Sequence, residues 1–387
     1  MLHLLSALTP FYVTLFWCII LLSGGKRVSK SRFLLGLFMA ASAILFFSHA
    51  LFFLGYPGVY LIFDPLYLFT SLAVYPLYYW YVRMLTIESH FNFKNLLHLI
   101  PGFIFAISLS VLYIIATPEE IELYYFKVLS ENDFSIVLKG DNVGFMGIVF
   151  FASRVWFSFQ VFYCLIKGLL LIKRYNERVR EFYSQTKGRT LFGVKTLLLV
   201  FLFTSMVSTT LNILGRGFFE ESSLTLFIPS FLFSVLLFLI GYQGNIQQHT
   251  VADLEKEEAE AVPVVETCHK DTVLCDRLIE LMEKEHIYRI HDLRISFITR
   301  KLNSNRSYIS GVINEFMGES FNSFVNRYRI DYACKLMNDE KARNYSLEYI
   351  SNESGFGSLS SFIRAFKHFK GVTPGKYLQN SLNKSDS

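Results

Sequence analysis

Along the first 243 positions apolar residues come in long blocks; after that they recur at helical spacing between charged positions. Seven blocks approach the ~20 residues a helix needs to cross a bilayer. They are Leu4–Leu22, Phe33–Leu54, Leu66–Val82, Leu97–Ala116, Phe145–Ile172, Thr196–Leu214 and Leu224–Tyr242. Backbone groups cannot stay unpaired in hydrocarbon, so blocks of this length predict helices. The third is short and broken by Pro76. The first lacks a basic leader and a small-residue cleavage site and reads as a retained span. The pattern changes at the end of the seventh block. Residues 244–270 form an acidic linker, with Asp253, Glu255, Glu257, Glu258, Glu260 and Glu266 against Lys256, expected as a solvated helix or spacer.

From residue 271 the pattern predicts amphipathic helices. Leu274, Leu278, Leu281 and Met282 form one stripe over Asp271–His286. A helix at Leu293–Leu302 ends at Asn303, which tolerates the left-handed conformation, and Asn305 is placed to cap the next, Arg306–Phe316. In that helix Ile309, Val312, Ile313 and Phe316 point inward. Ser307, Ser310, Gly311 and Asn314 share the opposite face, with Arg306 at the N-terminus. A long helix over Phe321–Met337 is expected to bury Phe321, Phe324, Val325, Tyr328, Tyr332 and Leu336. The layout then recurs: Ser346 as a cap, Gly355 as a tight turn, Phe356 as an anchor, Ser358 as a second cap. The final helix, Leu359–Lys370, buries Phe362, Phe366 and Phe369 and presents Ser360, Ser361, Arg364 and Lys367. Two tandem helix-turn-helix units with polar outer helices point to DNA, because short polar groups and a glycine let a helix approach base edges in the major groove.

Composition agrees with this division. Of 387 residues 52% are hydrophobic and 18% charged, outside the range of one ordinary soluble globule and far from a disordered chain. Five cysteines are too scattered for a disulfide framework, and Cys268-His269 with Cys275 lacks metal-ligand spacing. If the N-terminus is outside, the inner loops 23–32, 83–96 and 173–195 hold 13 Lys/Arg, and the outer loops hold Lys127, Lys139 and Arg216. That asymmetry predicts a cytoplasmic C-terminus. The longest outer loop, 117–144, is acidic. Ionisable residues within spans are the default functional candidates. Asp64 and Arg154 are the candidates for membrane sensing, as a ligand site or an internal ion pair, against the plainer reading that both reach water at span ends.

The C-terminal motifs also carry a resemblance. Ile350-Ser351-Asn352-Glu353-Ser354-Gly355-Phe356, Ser358, Phe362-Ile363-Arg364-Ala365-Phe366-Lys367 and Gly371-Val372-Thr373-Pro374 resemble the DNA-binding domain of the AraC/XylS class of bacterial transcription regulators. Gly318–Phe321 and Tyr328-Arg329-Ile330, followed by Ala333, resemble that family's linking helix. The resemblance covers residues 272–380, under a third of the chain. It departs at Thr299 and Ser351, where the family has alanine, at Asn303, where it has glycine, and at Phe297, where it more often has an exposed polar residue. It implies one module on two adjacent major-groove segments, with base contacts from Ser307, Ser310, Gly311, Asn314, Ser360, Ser361 and Arg364. Arg306 and Lys367 would be nearer the phosphates.

The expectation is an all-α protein: a seven-helix transmembrane domain at 1–243, the linker at 244–270, and at 271–387 a soluble all-α domain with two helix-turn-helix motifs. It would be a transcription regulator in a bacterial cytoplasmic membrane. Its expected partners are double-stranded DNA, the lipid bilayer, a second copy of the chain and a small-molecule or membrane-derived signal. No catalytic motif, cofactor or metal is expected. A transporter or channel with a regulatory helical domain is the alternative.

Overall fold

The computed structural model describes residues 2–23, 29–87, 93–211, 216–219, 223–247, 250–259, 271–339 and 345–385. Residues 24–28, with Lys26 and Arg27, lie outside them, as do Asn212, Cys268, His269 and the side chain of Phe316. The described residues are helical apart from turns and one isolated antiparallel bridge, Tyr183 to Arg294. The chain forms two compact units, Met1–Lys173 with Leu191–Val251, and Arg174–Thr190 with Ala252–Ser387.

In the first unit, seven helices are long and apolar enough to cross a membrane. They are α1 (Leu2–Leu22), α2 (Lys30–Phe53), α3 (Pro57–Thr86), α4 (Ile100–Ile115) together with the 3-10 segment Phe93–Leu99 before it, α6 (Asn142–Phe182), α7 (Phe192–Leu211) and α8 (Ser223–Ile246). α5 (Pro118–Leu123) is a short helix in the loop between α4 and α6. Two of these differ from the pattern-based reading. α3 runs 30 residues through Pro65 and Pro76, of which Pro76 is buried among other elements of the unit, where a missing hydrogen bond is tolerated. α6 runs 41 residues, ten beyond the end of its apolar block, and enters the second unit at Arg174. The acidic loop is also largely helical. Thr117 and Glu120 close a reciprocal capping box on α5, and two further helical turns span Tyr124–Ser130 and Phe134–Lys139. Several Ser and Thr hydroxyls in the spans are satisfied within their own helix, as where Thr14 Oγ1 donates to the Pro10 carbonyl at 2.8 Å. α8 approaches α1 through Gly241, where an added Cβ would collide with the Trp17 ring.

The second unit contains α9 (Val251–Ala259), α10 (Asp271–Glu283), α11 (Ile295–Leu302), α12 (Arg306–Gly311), α13 (Phe321–Asn338), α14 (Leu347–Glu353), α15 (Leu359–Lys370) and α16 (Pro374–Ser385). The helix expected over Arg306–Phe316 changes at Gly311 into a wider π turn over Val312–Phe316. α13 is the central strut, and its buried stripe is rotated from the expected one. Phe321, Phe324, Val325, Ile330, Ala333 and Met337 are buried, whereas Tyr328, Tyr332 and Leu336 are half-buried. The rotation follows from Arg329, which lies at 0% exposure inside the unit. Ile350, Phe356, Phe362 and Phe366 pack on α13, and Phe369 is half-buried at the rim.

Candidate nucleic-acid interface

The two helix-turn-helix units are α11–α12 and α14–α15. In the first, Asn303 takes the left-handed conformation at φ 51°. The Asn305 side chain then accepts from the Tyr308 amide at 2.9 Å to start α12. In the second, Ser346 accepts from the Tyr349 amide at 3.1 Å, Gly355 turns at φ 87°, and Ser358 accepts from the Ser361 amide at 3.4 Å. These caps satisfy amides that the first helical turn leaves open.

The candidate contact residues fall on two exposed faces. On α12 and the turn after it, Ser307 and Asn314 are exposed, and Arg306, Ser310 and Gly311 are half-buried. Asn314 donates to the Ser310 hydroxyl at 3.3 Å, so these two side chains share one surface. A Cβ added at Gly311 would meet nothing within 4 Å, so the glycine is not required by packing inside the unit. On α15, Ser360, Arg364 and Lys367 are exposed and Ser361 is half-buried beside the Ser358 hydroxyl, 3.0 Å away. Ile309, Val312 and Ile313 hold α12 to the core, and Phe362 and Phe366 hold α15.

Sequence pattern missed a third participant, the segment Arg174–Thr190. Val179, Phe182 and Tyr183 are fully buried in the second unit. Ser184 donates its amide to the Leu293 carbonyl at 3.0 Å and accepts from Arg329 at its hydroxyl, 3.2 Å, and from Asn322 at its carbonyl, 2.5 Å. The segment touches both helix-turn-helix units. The Arg306 guanidinium lies 5.2 Å over the Phe182 ring, Gln185 donates to the Gly355 carbonyl at 3.5 Å, and Lys187 donates to Ser360 at 3.5 Å.

Two charged groups fasten it. Arg329 donates to the Tyr288 and Ile290 carbonyls, each at 2.7 Å. Burial lowers its pKa to about 9, which leaves it cationic at neutral pH. Asp292 accepts from Arg189 at 2.7 and 3.1 Å and from Arg294 at 3.0 Å. Partial burial works against its charge, but the two guanidinium groups outweigh it and hold the carboxyl below its ordinary range. Arg294 also pairs with Glu257 of α9 at 2.9 Å, and Tyr183 donates to that carboxylate at 2.5 Å. The first part of the acidic linker is thus a docked helix in this unit. No local spacing could have revealed the partners of residues 182–189, which lie more than 70 residues away along the chain; the run of Phe182 and Tyr183 inside a basic loop was the one available signal.

The membrane candidates lie in the first unit. Asp64 is 2% exposed, against the reading that it reaches water, and accepts from Tyr60 at 2.5 Å, Tyr113 at 2.8 Å and Tyr124 at 3.4 Å. Arg154 donates to Asn132 at 2.9 Å and lies 3.9 Å over the Phe150 ring. Arg216, counted above only as a loop charge, is 5% exposed and donates to the Tyr60 hydroxyl at 2.6 Å.

Comparison with known proteins places the C-terminal geometry in a class. The family described as Helix-turn-helix domain matches residues 298–380. Over 106 residues the chain is 28% identical to an uncharacterized HTH-type transcriptional regulator, YtdP, of Bacillus subtilis (strain 168), covering 27% of this chain and 13% of that protein. It is 28% identical over 131 residues to an uncharacterized HTH-type transcriptional regulator of Staphylococcus aureus (strain COL), covering 34% and 17%. It is 30% identical over 91 residues to the Msm operon regulatory protein of Streptococcus mutans serotype c, covering 24% and 32%. The chain therefore spans less than a third of the length of each of these relatives. No solved structure matches it. The C-terminal region is an AraC-type helix-turn-helix domain, the DNA-binding kind found in transcription regulators, and it follows seven helices long and apolar enough for a membrane.

Proposed function

We propose that the chain is a one-component transcription regulator held in a bacterial cytoplasmic membrane, its seven-span half acting as a sensor and its C-terminal unit binding duplex DNA in the cytoplasm. The observation that carries the DNA reading is the pair of exposed polar helices, α12 and α15, each opening on a capped N-terminus behind a left-handed turn. In this reading Arg364 reads a guanine with two hydrogen bonds, and Ser307, Ser310, Gly311, Asn314, Ser360 and Ser361 meet base edges or sugars. Arg306 and Lys367 position the domain on phosphates. The excess of Lys/Arg in loops 23–32, 83–96 and 173–195 supports an external N-terminus and a cytoplasmic C-terminus.

Sensor control has a physical route. The segment Arg174–Thr190 continues α6 and touches both helix-turn-helix units, so two positions of the segment would present the two recognition helices at two spacings. A signal acts on this equilibrium only through different affinity for the two states. Dimerisation through a second copy is a further way to couple the two.

The test is to crosslink the full-length protein to DNA in membranes and sequence what is captured, beside an Arg364→Ala control. A short set of sites lost in the control and found in the membrane fraction is the expected result. Capture without site enrichment in any growth condition would overturn sequence-specific regulation.

A further inference from the structure

The first unit encloses a cavity of about 320 Å³ between α1, α2, α3, α7 and α8, at the small end of ligand-sized pockets. Its wall is mostly apolar, with Phe46, Phe53, Leu226 and Phe233 on different sides. At one end stands Arg216, held by the Tyr60 hydroxyl and by the rings of Phe52, Tyr60 and Tyr67, whose faces lie 4.6–5.1 Å from the guanidinium. These contacts orient the guanidinium and leave work undone: among the described residues, Nη2 is buried with no hydrogen-bond partner. A buried guanidinium N–H without an acceptor is costly, and more so in a low-dielectric bundle. Asp64 is the carboxylate within electrostatic reach, but its oxygens receive Tyr60, Tyr113 and Tyr124. Arg154, a second cation, also acts on Arg216. Among the described residues, Arg216 therefore has near it a second cation and one carboxylate that is already engaged.

The cavity has a second orphan. Ser42 lines it at 1% exposure, and its hydroxyl has no partner. Ser42 lies seven residues before His49, another lining residue, on the same helix. Two turns of helix are about 10 Å, so the cavity is elongated along α2. An elongated apolar space with an unsatisfied cation at one end fits one chemistry.

We propose that this cavity binds a single-chain amphipathic anion, its carboxylate-type or phosphate-type head paired with the Arg216 guanidinium and its tail running along α2 toward Ser42. The site stands independently of the DNA reading. Such an anion has two sources, a free acid and an anionic lipid of the bilayer.

The test uses full-length protein in phosphatidylcholine nanodiscs, with octanoate, octanol, octyltrimethylammonium and butanoate as probes and empty discs as the background. Saturable octanoate binding, about tenfold tighter than octanol or the ammonium probe, is expected. Arg216→Gln removes that preference, and Arg216→Lys retains part of it. Ser42→Leu shortens the far end and weakens octanoate while leaving butanoate unchanged; it carries the test if Arg216→Gln fails to fold. Competition by lysophosphatidylglycerol in the discs supports the site and assigns the lipid source, and its absence assigns the free acid. Equal, unsaturable uptake of octanoate and octanol, or tighter binding of the ammonium probe, overturns the proposal.

Discussion

The turn between α11 and α12 is held by Asn303 at φ 51°, and the turn between α14 and α15 by Gly355 at φ 87°. Asn303 is exposed. Gly355 is buried, and a Cβ there would lie 2.6 Å from the Tyr288 carbonyl oxygen and 2.8 Å from the Arg289 Cα. The helices that follow differ in the same sense. α12 has six residues before it widens into a π turn, whereas α15 has twelve and is closed at its end by Gly371 at φ 73°. The α14–α15 turn is thus the more constrained of the two, packed closely on the 288–289 backbone. The first is short, polar and adjustable, and it is the one whose Arg306 rests on Phe182. Under the proposed function, that division would let α15 fix the address while α12 is open to modulation.

The largest effect that would test this contrast is at the turns. Gly355→Ala places a side chain against backbone at a positive φ and is expected to cost about 3 kcal/mol. Asn303→Gly is expected to change stability by only a few tenths. Hydrogen exchange of the α11–α15 peptides in the full-length protein measures both; equal effects would erase the asymmetry. Next is base reading. Arg364→Ala should cost about 1–3 kcal/mol in affinity for a captured site and relax one base position. Ser310→Ala on α12 should cost less than half of that. A larger loss from Ser310→Ala in a titration against randomised duplexes would reverse the roles assigned to the two units.

Gly311 separates packing from binding. With open space around its Cβ, Gly311→Ala should stabilise α12 by about 1 kcal/mol while lowering DNA affinity. A gain in both would remove α12 from the DNA. Smaller effects are expected at the two positions where the family has alanine. Thr299 donates to the Ser296 carbonyl at 2.9 Å, so Thr299→Ala loses a hydrogen bond. Ser351 is fully buried with no partner for its hydroxyl, so Ser351→Ala should be neutral or stabilising, by about 1 kcal/mol at most. Smallest is the acid response of the docked segment. The Asp292 carboxyl is held below its ordinary range in the folded protein. Its stabilising contribution is present above the unfolded carboxylate pKa of about 3.9 and is lost as pH falls through the lower folded value. Protection of 182–190 should therefore fall on acidification in the native protein and less so in Asp292→Asn.

Elements whose partners are close in sequence were readable from the pattern. Asn305, Ser346 and Ser358 cap the helices they precede, and the inward positions Ile309, Val312, Ile313, Phe362 and Phe366 are buried. Period alone fails where one side chain is held by distant backbone. Arg329 lies off the expected apolar stripe of α13, yet carbonyls at 288 and 290 and the Ser184 hydroxyl hold it inside the unit. Arg216 was only a loop charge until Tyr60 and Tyr67 were seen around it. Such groups take their meaning from partners that no local window contains.

The second unit is assembled from two pieces of chain that leave the ribosome at different times. Residues 174–190 are made before α7 and α8, and the helix-turn-helix units after them. The early piece must therefore wait, with Phe182 and Tyr183 uncovered, until α13 arrives to close the unit. A fragment that begins after the linker would keep both recognition helices and lose the Ser184 ligand of Arg329 and the ring beneath Arg306. Severing the linker would release an unfinished protein, so integrity of the DNA-binding half is tied to the birth order of the whole chain.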